Sequence, residues 1–284
     1  MYKRQAQTIV RASYREPLYH YESNVIGTAN VLEALKTLDK KCAVVIITTD
    51  KVYENLEIDK PYKEDAQLGG YDPYSASKAC ADIATHSYMR SFFNLKDYEA
   101  HQKSICIVRA GNVIGGGDWT EDALIPDLMR SLSRGETLIL RNPLAVRPWQ
   151  HVLEALSAYL LLGEKLYNDP FNTSGAWNVG PRQEDILSVK ALIKIAISIW
   201  GSGEYEISSN KSDWHEAQLL RLDIGKIKNK LNWHPTLTAN EAIEQTITWY
   251  QKFLLEKQDA RKLVLSDIAS FSKSYVSKSL VKIH

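Results

Sequence analysis

Thr48-Thr49-Asp50-Lys51, directly behind the apolar run Ala43-Val44-Val45-Ile46-Ile47, decides how this chain is read. The run is continuous, mostly β-branched and short, which fits a strand buried on both faces, as parallel sheets require. In open α/β sheets the ligand crevice lies outside the carboxyl ends of the strands. Hydroxyl, carboxyl and ammonium groups at that point stand where acid–base chemistry would sit. An ordinary loop capped by Asp50 is an equal alternative from these residues alone.

Working outward, Asn24–Leu38 carries Val25, Thr28, Val31, Leu32, Leu35 and Leu38 near a 3.6 period and predicts an amphipathic helix. Tyr74–Phe93 also reads as helix, and Ser104–Arg109 as a second buried strand ended by Gly111 and Asn112. Asp122–Arg134 predicts a helix stopped by Gly135, Thr137–Arg141 a strand, and Gln150–Tyr167 a long apolar helix. This alternation predicts an α/β fold, a Rossmann-like doubly wound parallel sheet with helices on both faces. Beyond Pro170 short apolar runs (Ala176–Val179, Tyr205–Ile207, Leu219–Leu222) mix with helices at Leu187–Trp200 and Ala239–Leu255, the texture of a smaller α+β lobe. The expected division is 1–170 for the sheet domain, 171–258 for an interleaved lobe and 259–284 for a polar tail or loosely attached helix.

Lys plus Arg number 35 and Asp plus Glu 34, a net charge of +1 that argues against a general nucleic-acid or membrane-surface binder. No apolar stretch reaches the ~18 residues of a membrane span, and Met1–Gln5 has no apolar core behind it, so no signal peptide is expected. Cys42, Cys80 and Cys106 are far apart and odd in number, which predicts free, buried thiols in a reducing, cytoplasmic setting. No histidine pair has metal spacing, so no metal is expected, and there is no G-x-S-x-G elbow. The 14 glycines contain neither G-x-G-x-x-G nor a P-loop. Gly115-Gly116-Gly117 reads equally as a loop near a ligand or as a tight turn.

Tyr74-Ser75-Ala76-Ser77-Lys78 places a phenol and an ammonium one helical turn apart. The ammonium is expected to favour the phenolate, lowering the tyrosine from ~10 toward a range where it takes a proton from a sugar or alcohol hydroxyl. Alone, this spacing is a common coincidence of surface helices.

Together and in this order, the two segments resemble the extended short-chain dehydrogenase/reductase family in its nucleotide-sugar branch. Within that branch, several blocks resemble the dehydratases acting on CDP-glucose: Asp50–Asn55, Gly69–Lys78, Arg109–Trp119, Arg141–Pro143, Arg147–Val152, Trp177–Pro181 and Trp214–Ala217. The likeness runs from about Ala6 to Phe253. Asp50-Lys51 discriminates: relatives acting on other nucleotide-sugars carry Asp-Glu there, and the 4-epimerases neither acid.

The resemblance implies bound NAD and an internal redox cycle that yields a 4-keto-6-deoxy sugar. It assigns Tyr74 to the sugar 4-hydroxyl proton, Lys78 to the nicotinamide ribose and the ionisation of Tyr74, and Thr49 to the 4-oxygen. Asp50 is the candidate acid for the leaving 6-hydroxyl, and Lys51 the base at C5 or a stabiliser of the enolate. Cofactor-side positions are Ala6, Gln7, Asn24, Tyr74 and Lys78. Substrate-side positions are Asn112, Arg147 as a pyrophosphate clamp, Gln150 and His151 at a helix start, and Trp214 and His215 near the cytosine. Trp177 and Trp200 are expected in the core. The partner is a nucleotide-sugar, CDP-glucose, and the helices Asn24–Leu38 and Tyr74–Phe93 are expected to form a homo-oligomer interface.

The family's Gly-rich strand–turn–helix is not found here. The chain therefore reads as entering the fold partway through the cofactor domain, with weak NAD retention and little activity of its own expected.

Overall fold

The apolar run ahead of Thr48 forms strand β1, Cys42–Ile47. The computed structural model describes residues 6–209, 214 and 217–280, with side chains to 277. β1 runs parallel to β2 (Lys103–Ala110), and β2 parallel to β3 (Gly175–Val179), so the order is β1-β2-β3. The register sets Cys42 opposite Lys103 and Ile47 opposite Val108. β2 is buried at every residue, as an apolar run between two partners must be. β1 corrects the expectation of burial on both faces: with one partner strand among the described residues, it is half-buried, and Ile47 is 46% exposed. Ala176–Val179, expected in the smaller lobe, belongs instead to this sheet, because its backbone pairs with Ile107–Ala110.

Two compact units arise, and the chain passes between them repeatedly rather than once near residue 170. The first comprises Met1–Ala110, Ser157–Val179 and Trp214–Asn232; the second comprises Gly111–Leu156, Gly180–Asp213 and Trp233–His284. In the first, the predicted helix at Asn24–Leu38 is a π-helical turn, Glu22–Ile26, continuing into helix α1, Gly27–Lys36. Helix α2 spans Pro73–Ser91. Leu32 and Leu35 of α1 pack with Phe93 and Ile105, so the periodic face is the core face.

The second unit has its own core, in which Leu128, Met129, Leu192, Ile193, Ile243 and Trp249 meet. Three small ladders join it: Val113–Ile114 with Gln150–His151, Leu138–Leu140 with Tyr205–Ile207, and Val146–Arg147 with Leu187–Ser188. Gln150 and His151 thus lie in a short strand just before the helix Val152–Asn168, not in its first turn. The helix Leu124–Arg134 ends as expected on Gly135 at φ 68°. The stretch read as a polar tail or a loosely attached helix contains a helix, Ala260–Leu280, seated by the buried Leu263 and Phe271. The glycine triplet serves packing: a Cβ at Gly116 would lie 2.1 Å from Cγ of Trp249. Trp177 and Trp200 are core residues as expected, but Cys80 is exposed while Cys106 is buried.

Candidate active site

The start of α2 is built to hold Tyr74 against the end of β1. Asp72 caps the helix, accepting from the Ser75 amide at 2.9 Å and the Ser75 hydroxyl at 2.6 Å, and Pro73 occupies the first turn. Gly69 donates its amide to Val52 at 2.8 Å, and a Cβ there would strike Glu54. Gly70, at φ 125°, lies so close to the helix that a Cβ would come 2.5 Å from the Ala76 nitrogen. These two glycines and Asp72 bring the two predicted segments together, a task not assigned to them from the sequence.

On β1, the backbone passes from Ile47 through buried Thr48 and Thr49 into a single 3₁₀ turn, Asp50–Val52. Thr49 caps the turn by accepting from the Lys51 amide, and its hydroxyl donates to Asp50 Oδ1 at 2.9 Å. Asp50 is 1% exposed and Tyr74 6%. The Lys51 ammonium lies 5.9 Å from the centroid of the Tyr74 ring. Lys78 donates from Nζ to the Ile47 carbonyl at 2.8 Å, which leaves two of its three donors for other acceptors. Thr49, Asp50, Lys51, Tyr74 and Lys78 therefore form one cluster.

Burial governs the acidities. It pushes the Tyr74 phenol above its ordinary value, and Asp50 and Asp72 push the same way, against the Thr49 hydroxyl. It pulls the Lys78 ammonium down to about 8. The expected lowering of Tyr74 by Lys78 does not emerge: burial raises the phenol, and burial likewise disfavours the charge of the ammonium.

Asn24, 2% exposed, ties the first unit together. Its Oδ1 accepts from the Gln7 amide at 2.9 Å, and its Nδ2 reaches the Gln7 carbonyl at 3.0 Å and Ser77 Oγ at 2.8 Å. With its amide engaged internally, it positions Gln7 beside α2. Ala6 is exposed, and Gln7 reaches the Tyr19 hydroxyl at 3.3 Å. Gln7, the Tyr74 hydroxyl and the Lys78 ammonium fit the nicotinamide–ribose end of NAD: an amide, a hydroxyl and a cation at a strand end whose apolar Ile47 is open.

In the second unit, the Gln150 amide donates to the Asn112 carbonyl at 2.8 Å, so Asn112, Gln150 and His151 gather on one ladder. Arg147 is 8% exposed and donates to the Val146 carbonyl at 2.9 Å. Asn112 Oδ1 and His151 Nε2 are buried without a hydrogen-bond partner among the described residues. Orphaned buried groups are rare and call for a ligand or water. His151 Nδ1 accepts from the Leu153 amide at 3.3 Å, which leaves the proton of a neutral ring on Nε2.

Burial holds His151 down to about 4. Between there and ~6.5 the unfolded chain binds a proton that the folded chain does not, so stability falls as pH falls through that window, by at most ~1.4 kcal/mol per unit. His151→Gln is expected to flatten that slope in urea midpoints taken between pH 6.5 and 5; an unchanged slope would show that His151 is charged in the fold.

Trp214 lies in the first unit. Its ring stacks on Tyr14 at 5.4 Å and 5°, with the Arg11 guanidinium 5.1 Å from its centroid, so protein groups engage the ring expected to meet a base. His215 lies outside the described residues. The described residues include no His/Cys/Asp/Glu group able to hold a metal and no helix long and apolar enough to cross a membrane.

The family model for GDP-mannose 4,6-dehydratase matches residues 2–246. A CDP-glucose 4,6-dehydratase of Salmonella typhimurium is 42% identical over 249 residues, covering 88% of this chain and 69% of the relative. Among solved structures, a dTDP-glucose 4,6-dehydratase of Streptomyces venezuelae with NAD bound superposes with a TM-score of 0.75 at 24% identity, over 87% of this chain and 71% of that one. A UDP-glucose 4-epimerase of Thermotoga maritima with UDP-glucose gives 0.73 at 22% identity, over 88% and 76%. The last two likenesses speak for the fold.

Proposed function

Because this chain belongs to the GDP-mannose 4,6-dehydratase family, we propose that it is a nucleotide-sugar 4,6-dehydratase, a hydro-lyase converting CDP-glucose to CDP-4-keto-6-deoxyglucose. The observation that carries this reading is the cluster of Thr49, Asp50, Lys51, Tyr74 and Lys78 at the end of β1. NAD is the cofactor; bound, it would supply a positively charged, reversible hydride acceptor for the internal redox cycle. Gln7, Tyr74 and Lys78 would hold its nicotinamide–ribose end.

Tyr74 takes the 4-hydroxyl proton, and Thr49 orients the 4-oxygen. The resulting ketone acidifies C5, where Lys51 acts as base or stabilises the enolate. Asp50, 1% exposed, protonates the departing 6-hydroxyl. On the substrate side, Asn112 Oδ1 and His151 Nε2 are polar atoms a sugar or phosphate would satisfy, with Gln150 beside them and Arg147 as the pyrophosphate clamp. Trp214 and His215 are assigned to the cytosine in this reading.

A 4-epimerase does not expel the 6-hydroxyl and needs no acid there, so Asp50 argues against that reading. With NAD and CDP-glucose in excess to drive the low turnover expected of this chain, the product is expected to absorb in alkali, as 4-keto-6-deoxy sugars do. CDP-glucose should be preferred over UDP-glucose, dTDP-glucose and GDP-mannose. An epimerised sugar, or preference for another nucleotide, would overturn the assignment. Deoxysugar biosynthesis, including that of lipopolysaccharide O-antigen, is the proposed setting, in the cytoplasm. Exposed Leu18, Ile26, Val31, Ile83 and Phe92 on the α1 and α2 side of the first unit favour a homo-oligomer there.

A further inference from the structure

Tyr74, Lys78, Asp82 and His86 stand four apart, so one stripe of α2 carries a phenol, an ammonium, a carboxylate and an imidazole. The proposed chemistry uses the first two. Asp82 is wholly buried one turn beyond Lys78, and Arg109, the lone charge in the inner run of β2, is 2% exposed. The two are bound through both carboxylate oxygens, Nε to Oδ2 at 2.8 Å and Nη2 to Oδ1 at 2.9 Å.

What surrounds this pair goes beyond an isolated buried ion pair. Thr48, immediately before the turn that bears Asp50 and Lys51, directs its hydroxyl to Asp82 Oδ2 at 3.4 Å and shares it with the Val108 carbonyl at 3.3 Å. Tyr53, immediately after that turn, receives a hydrogen bond from Arg109 Nη1 at 3.0 Å. The same Nη1 donates to the Glu64 carbonyl at 2.9 Å. The Tyr53 hydroxyl donates to Asn178 Oδ1 on β3 at 2.6 Å, and its ring stacks on Tyr62. Both ends of the Thr49–Val52 turn are therefore anchored on one ion pair, and that pair sits on the helix bearing Tyr74 and Lys78. His86 Nε2 stands 3.5 Å from Asp82 at the stripe's outer end.

We infer that the Arg109–Asp82 pair, with Tyr53 and Thr48, is a positioning device that holds the Asp50–Lys51 turn in register with Tyr74 and Lys78. Arg109 does so by binding α2 with one edge of its fork and the far end of the turn with the other, a geometry lysine cannot reproduce. It also masks a carboxylate that would otherwise stand one turn from Lys78, whose ammonium burial pulls down to about 8.

This inference rests on Tyr74 and Lys78 as the acid–base pair, but its test does not depend on the substrate. The test compares Arg109→Lys and Tyr53→Phe with the unaltered full chain. Lysines are acetylated across a pH series, and the digest is read by mass spectrometry, with exposed Lys96 as internal standard. Arg109→Lys is expected to raise the half-labelling pH of Lys78 by about one unit, because a point charge cannot bind both Asp82 oxygens as the fork does and leaves the carboxylate less masked toward the ammonium. Tyr53→Phe, which keeps the ring and loses the hydroxyl that meets Arg109 and Asn178, is expected to change Lys51 and Lys78 labelling relative to Lys96 by about threefold with secondary structure intact. If both variants lower the melting temperature while Lys51 and Lys78 label as in the parent, the pair is structural only and the inference fails. Should Arg109→Lys not fold, Tyr53→Phe decides alone. A labelling shift in a chain that does not act on CDP-glucose would uphold the positioning role and sink the substrate assignment instead.

Discussion

Tyr74→Phe is expected to lower turnover of CDP-glucose by about 10²–10⁴ with NAD and substrate in excess. The substitution removes the one oxygen that the mechanism uses to take the 4-hydroxyl proton, and leaves the ring that fills the space. Tyr74 is 6% exposed, and burial favours its neutral form, so the fold loses little when the hydroxyl goes. The measurement is the rate of alkali-absorbing product, with the melting temperature as control. A phenylalanine chain that retains more than about a tenth of parental turnover would remove Tyr74 from the chemistry. Because Tyr74 is raised and Lys78 lowered, the parent rate is also expected to climb toward pH 8, where Lys78 begins to lose its proton and can accept one from the phenol.

Arg109→Met carries the largest expected cost in stability, ~3–5 kcal/mol, because it leaves the Asp82 carboxylate buried without its cation. That is a large share of the ~5–15 kcal/mol that holds a typical domain folded. Thr48 and His86 remain near Asp82, but burial holds the imidazole below its ordinary value, so it compensates poorly at neutral pH. The double change Asp82→Leu/Arg109→Met is expected to recover much of the loss, since removing both charges removes the desolvation penalty with them. Urea midpoints of the two singles and the double measure this. A double no more stable than Arg109→Met would mean that the carboxylate is not what makes the single costly.

Much of the molecule was legible before any coordinates. The apolar run Ala43–Ile47 became β1, the 3.6 period of Asn24–Leu38 became the α1 face that packs on Ile105, and Gly135 ended its helix. Each rests on a local rule: side-chain periodicity, β-branching, or the need for positive φ. The misreadings were of long-range pairing. Nothing in Ala176–Val179 says that its partner is β2, 69 residues away at Ile107–Ala176, and nothing in Gln150-His151 distinguishes a helix start from a ladder with Val113-Ile114. The Arg109–Asp82 pair left one usable sign, an arginine inside an otherwise apolar buried strand, which must find a buried anion.

The order and spacing of Thr49, Asp50, Lys51, Tyr74 and Lys78 were determined by the sequence itself, because hydroxyl, carboxyl, phenol and amine are properties of the residues. The parallel α/β character followed too, because periodicity is written along the chain. Which of those groups are charged, and which polar atoms remain for a ligand, only the tertiary structure decided. Burial set Tyr74 up and Lys78 down, engaged the amide of Asn24 inside the protein, stacked Trp214 on Tyr14, and left Asn112 Oδ1 and His151 Nε2 without partners among the described residues. Protonation and hydrogen-bond satisfaction depend on solvent exclusion and on neighbours distant in sequence, which come into being only when the chain has folded.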